Sequence, residues 1–112
     1  MIKIDCEYKR GILFVRLTGE VNKTTIKNMD IVDNIIRKAG IKYLLINLEK
    51  TIIIRHKDIS NLISRYKELI GDDGKLVICG YYNPTKINIK IEDTDKVYLS
   101  GKEVSAFNII NI

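Results

Sequence analysis

The residues of this 112-residue chain that could do chemistry lie together at 55–58, in the segment Arg55-His56-Lys57-Asp58. His56 is the only histidine. As a general base it would need a nucleophile to activate and a carboxylate to orient its ring, and Asp58 is the nearest carboxylate. No serine stands in a GxSxG motif. A surface histidine in a basic loop explains the segment better, and an enzyme is the least expected class.

The basic residues of the same segment could instead bind an anion. Arg55, His56 and Lys57 together have the chemistry to grip a phosphate group or an acidic protein surface. A solvated basic loop accounts for the same residues. The sequence has no glycine-rich phosphate loop, because the GxxxxGK and GxGxxG patterns are both absent. A nucleotide or anion sensor would therefore depend on these three residues, and no cofactor is predicted.

The two cysteines, Cys6 and Cys79, each fall inside an apolar stretch. They have no CxxC spacing and there is one histidine in the chain, so they do not indicate a metal site. We expect two free, buried thiols in a cytoplasmic protein.

The net charge of the chain indicates which kinds of partner it could bind. A formal net charge of +5, from 19 basic and 14 acidic residues, suggests an acidic partner surface or no specific partner. The lysines are scattered rather than gathered in a run interleaved with aromatics, so nucleic acid is not an expected partner. No apolar run approaches the ~18 residues of a membrane span, so a membrane is not expected either. The length suits one domain over residues 1–112.

Apolar periodicity predicts an α/β chain in which strands and helices alternate. Alternation within 2–9 and 12–18 predicts an antiparallel hairpin that turns at Arg10-Gly11. The remaining predicted elements are, in chain order, a helix capped by Asn22, Thr24 or Thr25 and ended by Gly40, a buried strand over 41–48, a loop over 49–58, a helix over 59–70, a strand over 76–79, a strand over 97–99 and a C-terminal helix marked by Val104, Phe107 and Ile110.

Two segments have less regular patterns. The loop carries the apolar run Ile52-Ile53-Ile54, which we expect at the edge of the core. If its middle residue, Ile53, were exposed, it would anchor a protein interface. The segment 86–92 alternates with a period of two, which favours an extended segment or an extra strand over a helix.

Three stretches, 12–25, 42–48 and 64–79, resemble the STAS domain, the fold of bacterial anti-sigma factor antagonists. Their order and spacing fit that family along nearly the whole chain. The resemblance implies a small mixed sheet of four to five strands, with an N-terminal antiparallel hairpin followed by parallel strands, packed by three to four helices. It also implies a protein that works by binding and by phosphorylation rather than by turning over a substrate.

The functional centre of that family is an Asp-Ser-Ser-Gly motif, whose serine is presented at a helix N-terminus and phosphorylated by an ATP-dependent anti-sigma kinase. The unphosphorylated domain binds the kinase and frees the sigma factor. Counted without gaps, the four motif positions fall on Arg55, His56, Lys57 and Asp58, so both serines are missing. Lys57 cannot accept a phosphoryl group in the same chemistry, and it places a cation where the helix dipole favours an anion.

A count shifted by three residues restores a candidate phosphoacceptor. Asp58-Ile59-Ser60-Asn61-Leu62 resembles the motif with two changes. Asp58 would then cap the helix and Ser60 would accept the phosphoryl group. We favour the gapless count, because it keeps the loop and the helix at family length. The hydrophobic phase does not decide, since a shift by three preserves the helical face.

The sequence therefore predicts a non-enzymatic protein–protein interaction module that resembles an anti-sigma factor antagonist. Its partner would be an anti-sigma factor with serine kinase activity, bound without a working phosphoserine switch. One alternative is a structural STAS-like domain that forms a homodimer or pairs with other STAS proteins, and another is a nucleotide or anion sensor. The predicted docking surface is the loop over 49–58 and the helix start, with Ile53, Arg55, His56, Lys57 and Asp58 as contact residues.

Overall fold

A computed structural model of the chain, which describes residues 2–53, 55–80, 97–100 and 102–104, contains a mixed five-stranded sheet in the order β1-β2-β3-β4-β5. The first pair is antiparallel and each later pair is parallel, which confirms the predicted hairpin and α/β fold. The strands are β1 (Ile2–Lys9), β2 (Ile12–Val21), β3 (Tyr43–Ile53), β4 (Lys75–Cys79) and β5 (Val97–Ser100).

The hairpin turns at the two residues predicted for it. Arg10 and Gly11 both have positive φ, 53° and 81°, and the flanking Lys9 and Ile12 pair with each other. A two-residue turn with both φ values positive matches the right-handed twist of the strands that it joins.

The described residues form three helices, α1 (Lys23–Lys27), α2 (Asp30–Ala39) and α3 (His56–Ile70). The prediction of one continuous helix up to Gly40 is wrong, because the helix is interrupted at Asn28 and Met29. Met29 is fully buried at this break, so the apolar spacing continues across it and cannot reveal it. Gly40, with a φ of 62°, ends α2 as predicted.

The hydrophobic core has two parts, one on each face of the sheet. The larger part lies under the helices and contains Leu44, Ile46 and Tyr66. The smaller part, on the opposite face, contains Phe14, Leu45, Val77 and Cys79. β3 is therefore covered on both faces, as its continuous apolar run predicts.

Both cysteines are free thiols. Cys79 is buried as predicted, whereas Cys6 on the edge strand is only half-buried. Burial is the first cause that raises the pKa of both groups, in Cys79 to about 12. A thiol that stays protonated is a poor nucleophile and a poor metal ligand, so neither cysteine indicates catalysis.

The segment between the third strand and the last described helix differs from the prediction. It is not a loop over 49–58, since β3 continues to Ile53 and α3 begins at His56 rather than at Ile59. Residues 49 and 50 are polar, and both are exposed on the strand. In the sequence, two consecutive polar residues have the same composition as the beginning of a loop.

The segment 86–92 and residues Phe107 and Ile110 lie outside the described residues. In the described part of the chain, no helix is long and apolar enough to cross a membrane. Within the same ranges, no group of His, Cys, Asp or Glu side chains could hold a metal ion.

Candidate docking site

The ends of β2 and β3 (residues 18–21 and 50–53) form a ribbon that extends beyond β4, and beyond β1 from Glu20 onward. Within it Thr18 pairs with Lys50 and Val21 with Ile53. The pairing of β3 with β4 ends earlier, at Asn47. A register shift between β2 and β3, a β-bulge, precedes the ribbon. The ribbon therefore leads out of the sheet and directly into α1 and α3.

In the apolar run at the end of the ribbon, the exposed residue is Ile52 and not the middle residue, Ile53. Ile53 is 5% exposed and belongs to the core under the helices, whereas Ile52 is 61% exposed. The β-bulge leaves residues 49 and 50 both exposed, which reverses the inward and outward phase of every later residue in the strand. Ile53 therefore does not meet the condition set for an interface anchor, and the exposed apolar residue beside it is Ile52.

The segment 55–58 forms the first turn of α3. Arg55, in extended conformation (φ −118°, ψ 135°), is the N-cap residue, and no side chain of the described residues caps the helix. Lys57 is exposed at the second helical position, and His56 occupies the first. The helix therefore starts where the gapless count puts the family motif.

The shifted count requires a different helix start. Asp58 lies in the third helical position rather than at the N-cap, so the capping role considered for it is wrong. Ser60 lies beyond the first turn of α3 and is half-buried.

The carboxylate of Asp58 is buried and paired within its own turn. Arg55 donates from Nε and Nη2 to its two oxygens, both at 3.3 Å. The Arg55 side chain remains 61% exposed, so solvent screens this pair. Asp58 also lies in the first turn of a helix, where a negative charge is favourable. The acid that could orient a catalytic His56 therefore has a structural partner of its own.

A groove of about 310 Å³ lies between the start of α1 and the start of α3. Lys23 and Arg55 bring positive charge to it, and Val21 contributes an apolar wall. Glu20, also on the groove, accepts a 2.6 Å hydrogen bond from the side-chain nitrogen of Asn22. The remaining lining residues are Asn22, Thr24 and Asp58.

The groove brings together residues that the sequence keeps more than thirty positions apart. Parallel strands β2 and β3 end at the same edge of the sheet, so the segments that follow them, 22–24 and 55–58, become neighbours. This carboxyl edge is where open α/β sheets commonly bind ligands. Glu20 and Lys23 were absent from the predicted site, and only the parallel pairing of the two strands could have indicated them.

Buried charge holds α3 against α2. The Asp33 side chain, on α2, accepts a hydrogen bond from Nη2 of Arg65 on α3. Burial first, and then the carboxylate of Asp33, raise the pKa of the neighbouring Tyr66 hydroxyl far above its usual range. These contacts fix the orientation of the helix whose first turn borders the groove.

A second cavity of about 740 Å³ lies over the sheet face opposite the helices, around Arg16. Arg16 donates from Nε and Nη2 to Glu103, at 2.8 and 2.9 Å, and also reaches Glu7 and Asp5. Asn47 donates to the same Glu103 carboxylate at 2.7 Å. Hydrogen bonds from Arg16 lower the pKa of Glu103 below its usual value. We call these five side chains the Arg16 network.

Comparison with known proteins agrees with this geometry. No family model matches the chain. The anti-sigma F factor antagonist of Paenibacillus polymyxa is 24% identical over 113 residues, covering 99% of this chain and 97% of that protein.

Solved structures show the same fold. An anti-sigma factor antagonist from Mycobacterium paratuberculosis superposes with a TM-score of 0.75 at 16% identity, over 100% of this chain and 96% of the other. The anti-sigma factor antagonist SpoIIAA in its unphosphorylated form superposes with a TM-score of 0.67 at 14% identity, over 97% and 98% of the two chains. The predicted resemblance is therefore confirmed: the chain has the STAS fold and resembles the anti-sigma factor antagonist family along its whole length.

Proposed function

We propose that this protein is a non-enzymatic binding module that docks on an anti-sigma factor and thereby regulates sigma-dependent transcription. The observation that carries the proposal is the surface formed by the ribbon and the first turn of α3, which exposes Ile52 together with Arg55 and Lys57. An apolar residue rimmed by polar and charged groups is typical of a protein interface. The resemblance to an anti-sigma F factor antagonist over 99% of the chain supports the choice of partner.

We also infer that docking proceeds without a phosphoserine switch. The first turn of α3 consists of Arg55, His56, Lys57 and Asp58, none of which carries a hydroxyl group. Ser60 lies one turn further along the helix and is half-buried. Binding would then be constitutive, or set by the abundance of the two proteins.

Calorimetric titration of the chain with the purified anti-sigma F factor of its own host tests both statements. We expect the affinity of the complex to be the same with and without ATP. We also expect the intact mass of the chain to be unchanged after incubation with the anti-sigma factor and ATP. Absence of a complex would contradict the docking function. A phosphoryl group on Ser60 that releases the partner would restore the switch and contradict its loss.

A second candidate function is pairing with another copy or another STAS protein. β1 lies at the edge of the sheet, and Tyr8 on this strand is 63% exposed. An uncovered strand edge is a template for pairing with another chain. Light scattering over a range of concentrations distinguishes this candidate, which requires a dimer, from a docking module that stays monomeric until its partner is added.

A further inference from the structure

We propose that β1 pairs antiparallel with β1 of a second copy of this chain, in the register that is centred on Ile4. This inference rests on the second candidate function, pairing with another copy, and specifies the strand, the register and the charged residues that select it. It does not use the first turn of α3, because α3 follows β3 and β2 separates β3 from β1.

β1 is a regular strand at the edge of the sheet. Its eight residues, Ile2–Lys9, pair with β2 without a register shift, and in the described part of the chain no strand lies on its other side. The strand contains no proline. Bulges and prolines are among the devices that keep exposed edges from pairing, so an edge without them is suited to receive another strand.

The apolar face of β1 fits an identical strand. Ile2, Ile4 and Cys6 are half-buried and pack against the larger part of the core, under the helices. In a symmetric antiparallel pair within one sheet, each residue lies opposite a residue of the same face. With Ile4 on the two-fold axis, Ile4 lies opposite its own copy and Ile2 lies opposite Cys6. The pair therefore extends the half-buried apolar row from one copy into the next.

The charged face of β1 is complementary in the same register. Lys3 lies opposite Asp5 of the second copy, and the two-fold axis repeats this pair. Lys3 is exposed and makes no ion pair with a described residue. The Asp5 side chain is 74% exposed, and its hydrogen bond from Arg16 is long, at 3.3 Å. Opposite charges that face each other across two strands attract, so both pairs favour this register.

The other central registers bring like charges together. A register centred on any charged residue of β1 places that charge against its own copy, which is repulsive. Centring on Cys6 pairs Lys3 with Lys9 and Asp5 with Glu7, so all of its charged pairs repel.

Registers centred near either end of β1 pair too little of the strand. Ile2 and Tyr8 lie within one residue of its two ends, so at most one residue on the outer side of either centre could pair. Ile4 is therefore the centre that joins opposite charges over the greatest length of β1.

The test is sedimentation equilibrium of the full chain and of its charge variants at low salt. We expect the wild-type chain to dimerise. Lys3→Glu and Asp5→Lys should each weaken the homodimer about tenfold or more, because either change turns both cross-strand pairs from attraction into repulsion. An equimolar mixture of these two variants should recover the wild-type affinity, since both pairs of the heterodimer again join opposite charges.

Lys9→Glu is the matched control for the loss of a positive charge. Lys9 is exposed on the same strand but has no opposite residue in the register centred on Ile4. This variant should change the affinity of the dimer less than about twofold. Circular dichroism verifies that all variants are folded.

The outcomes separate the register from the pairing on which it rests. A wild-type chain that stays monomeric at every concentration contradicts the second candidate function itself. If the chain dimerises but Lys3→Glu and Asp5→Lys have no effect, or if their mixture does not recover the affinity, the assigned register is wrong while pairing stands. Recovery when Lys3→Glu is mixed with Glu7→Lys instead, or a stronger dimer of Lys9→Glu, would assign a different register and overturn this one.

Discussion

The two charged regions of this molecule differ in how their cations are paired. In the Arg16 network the guanidinium of Arg16 donates hydrogen bonds to Asp5, Glu7 and Glu103. Asn47 donates a further hydrogen bond to Glu103. Lys23, which lines the groove, and Lys57, in the first turn of α3, make no ion pair with a described residue. A cation that is hydrogen-bonded within the protein contributes to the fold, whereas a cation without an ion-pair partner is available to another molecule.

The network also has a clear structural task. Glu103 belongs to the short described segment 102–104, and its bonds to Arg16 and Asn47 attach that segment to β2 and β3. The Arg16 guanidinium lies 5.6 Å from the centre of the Phe14 ring, over the smaller part of the core. The larger cavity is therefore a less attractive binding site than its volume suggests.

The largest expected effect on stability comes from removing the centre of this network. Arg16→Ala leaves three carboxylates without their shared cation and uncovers Phe14, so we expect the free energy of unfolding to fall by about 2 kcal/mol. Urea denaturation measures this loss. Affinity for the anti-sigma factor should be retained by the folded variant, and a variant that is fully stable yet unable to bind would reverse the roles of the two regions.

The next effect is a dependence on pH. Arg16 lowers the pKa of Glu103 below its ordinary value of 4.5. A depressed folded-state pKa contributes stability that is present above the unfolded value and is lost as pH falls through the folded value. Wild-type stability should therefore decrease below about pH 4.5 more steeply than that of Glu103→Gln.

Urea midpoints measured from neutral to acidic pH provide the check on this linkage. The two proteins should differ near neutral pH and converge in acid. Parallel curves over the whole acid range would show that Glu103 is not coupled to folding through Arg16.

The smallest effect on stability is expected in the first turn of α3. Lys57→Ala removes an exposed cation from a helix N-terminus, so the free energy of unfolding should change by no more than about 0.5 kcal/mol. The same variant should weaken the complex measurably. Loss of stability without loss of affinity would make Lys57 a structural residue and would remove the contrast between the two regions.

Much of the fold could be predicted because periodicity follows burial directly. The hairpin, the doubly covered β3 and the end of α2 at Gly40 were predicted from local patterns. The break at Asn28 and Met29 could not be, since buried residues keep the same spacing across it. Nor could the length of β3, because Glu49 and Lys50 within it are both exposed and have the composition of a loop.

The candidate site was predictable only in part. The gapless count of the family resemblance puts 55–58 at a helix start, although apolar periodicity alone predicts a loop there. The residue considered for exposure is Ile53, whereas the exposed residue is Ile52. A single inserted residue in a strand reverses which side chains face outward, and the sequence carries no local signal of the β-bulge. Lys23 becomes part of the site only through the parallel pairing of β2 with β3.

Hydrogen–deuterium exchange of the chain with and without the anti-sigma F factor would test the contrast between the two regions most directly. If the groove is the docking site, backbone amides within 20–24 and 55–60 will exchange more slowly in the complex, while those of β1 and of 102–104 will be unchanged. Protection confined to β1 and 102–104, with the groove unaffected, would contradict this account and transfer the docking role to the Arg16 network.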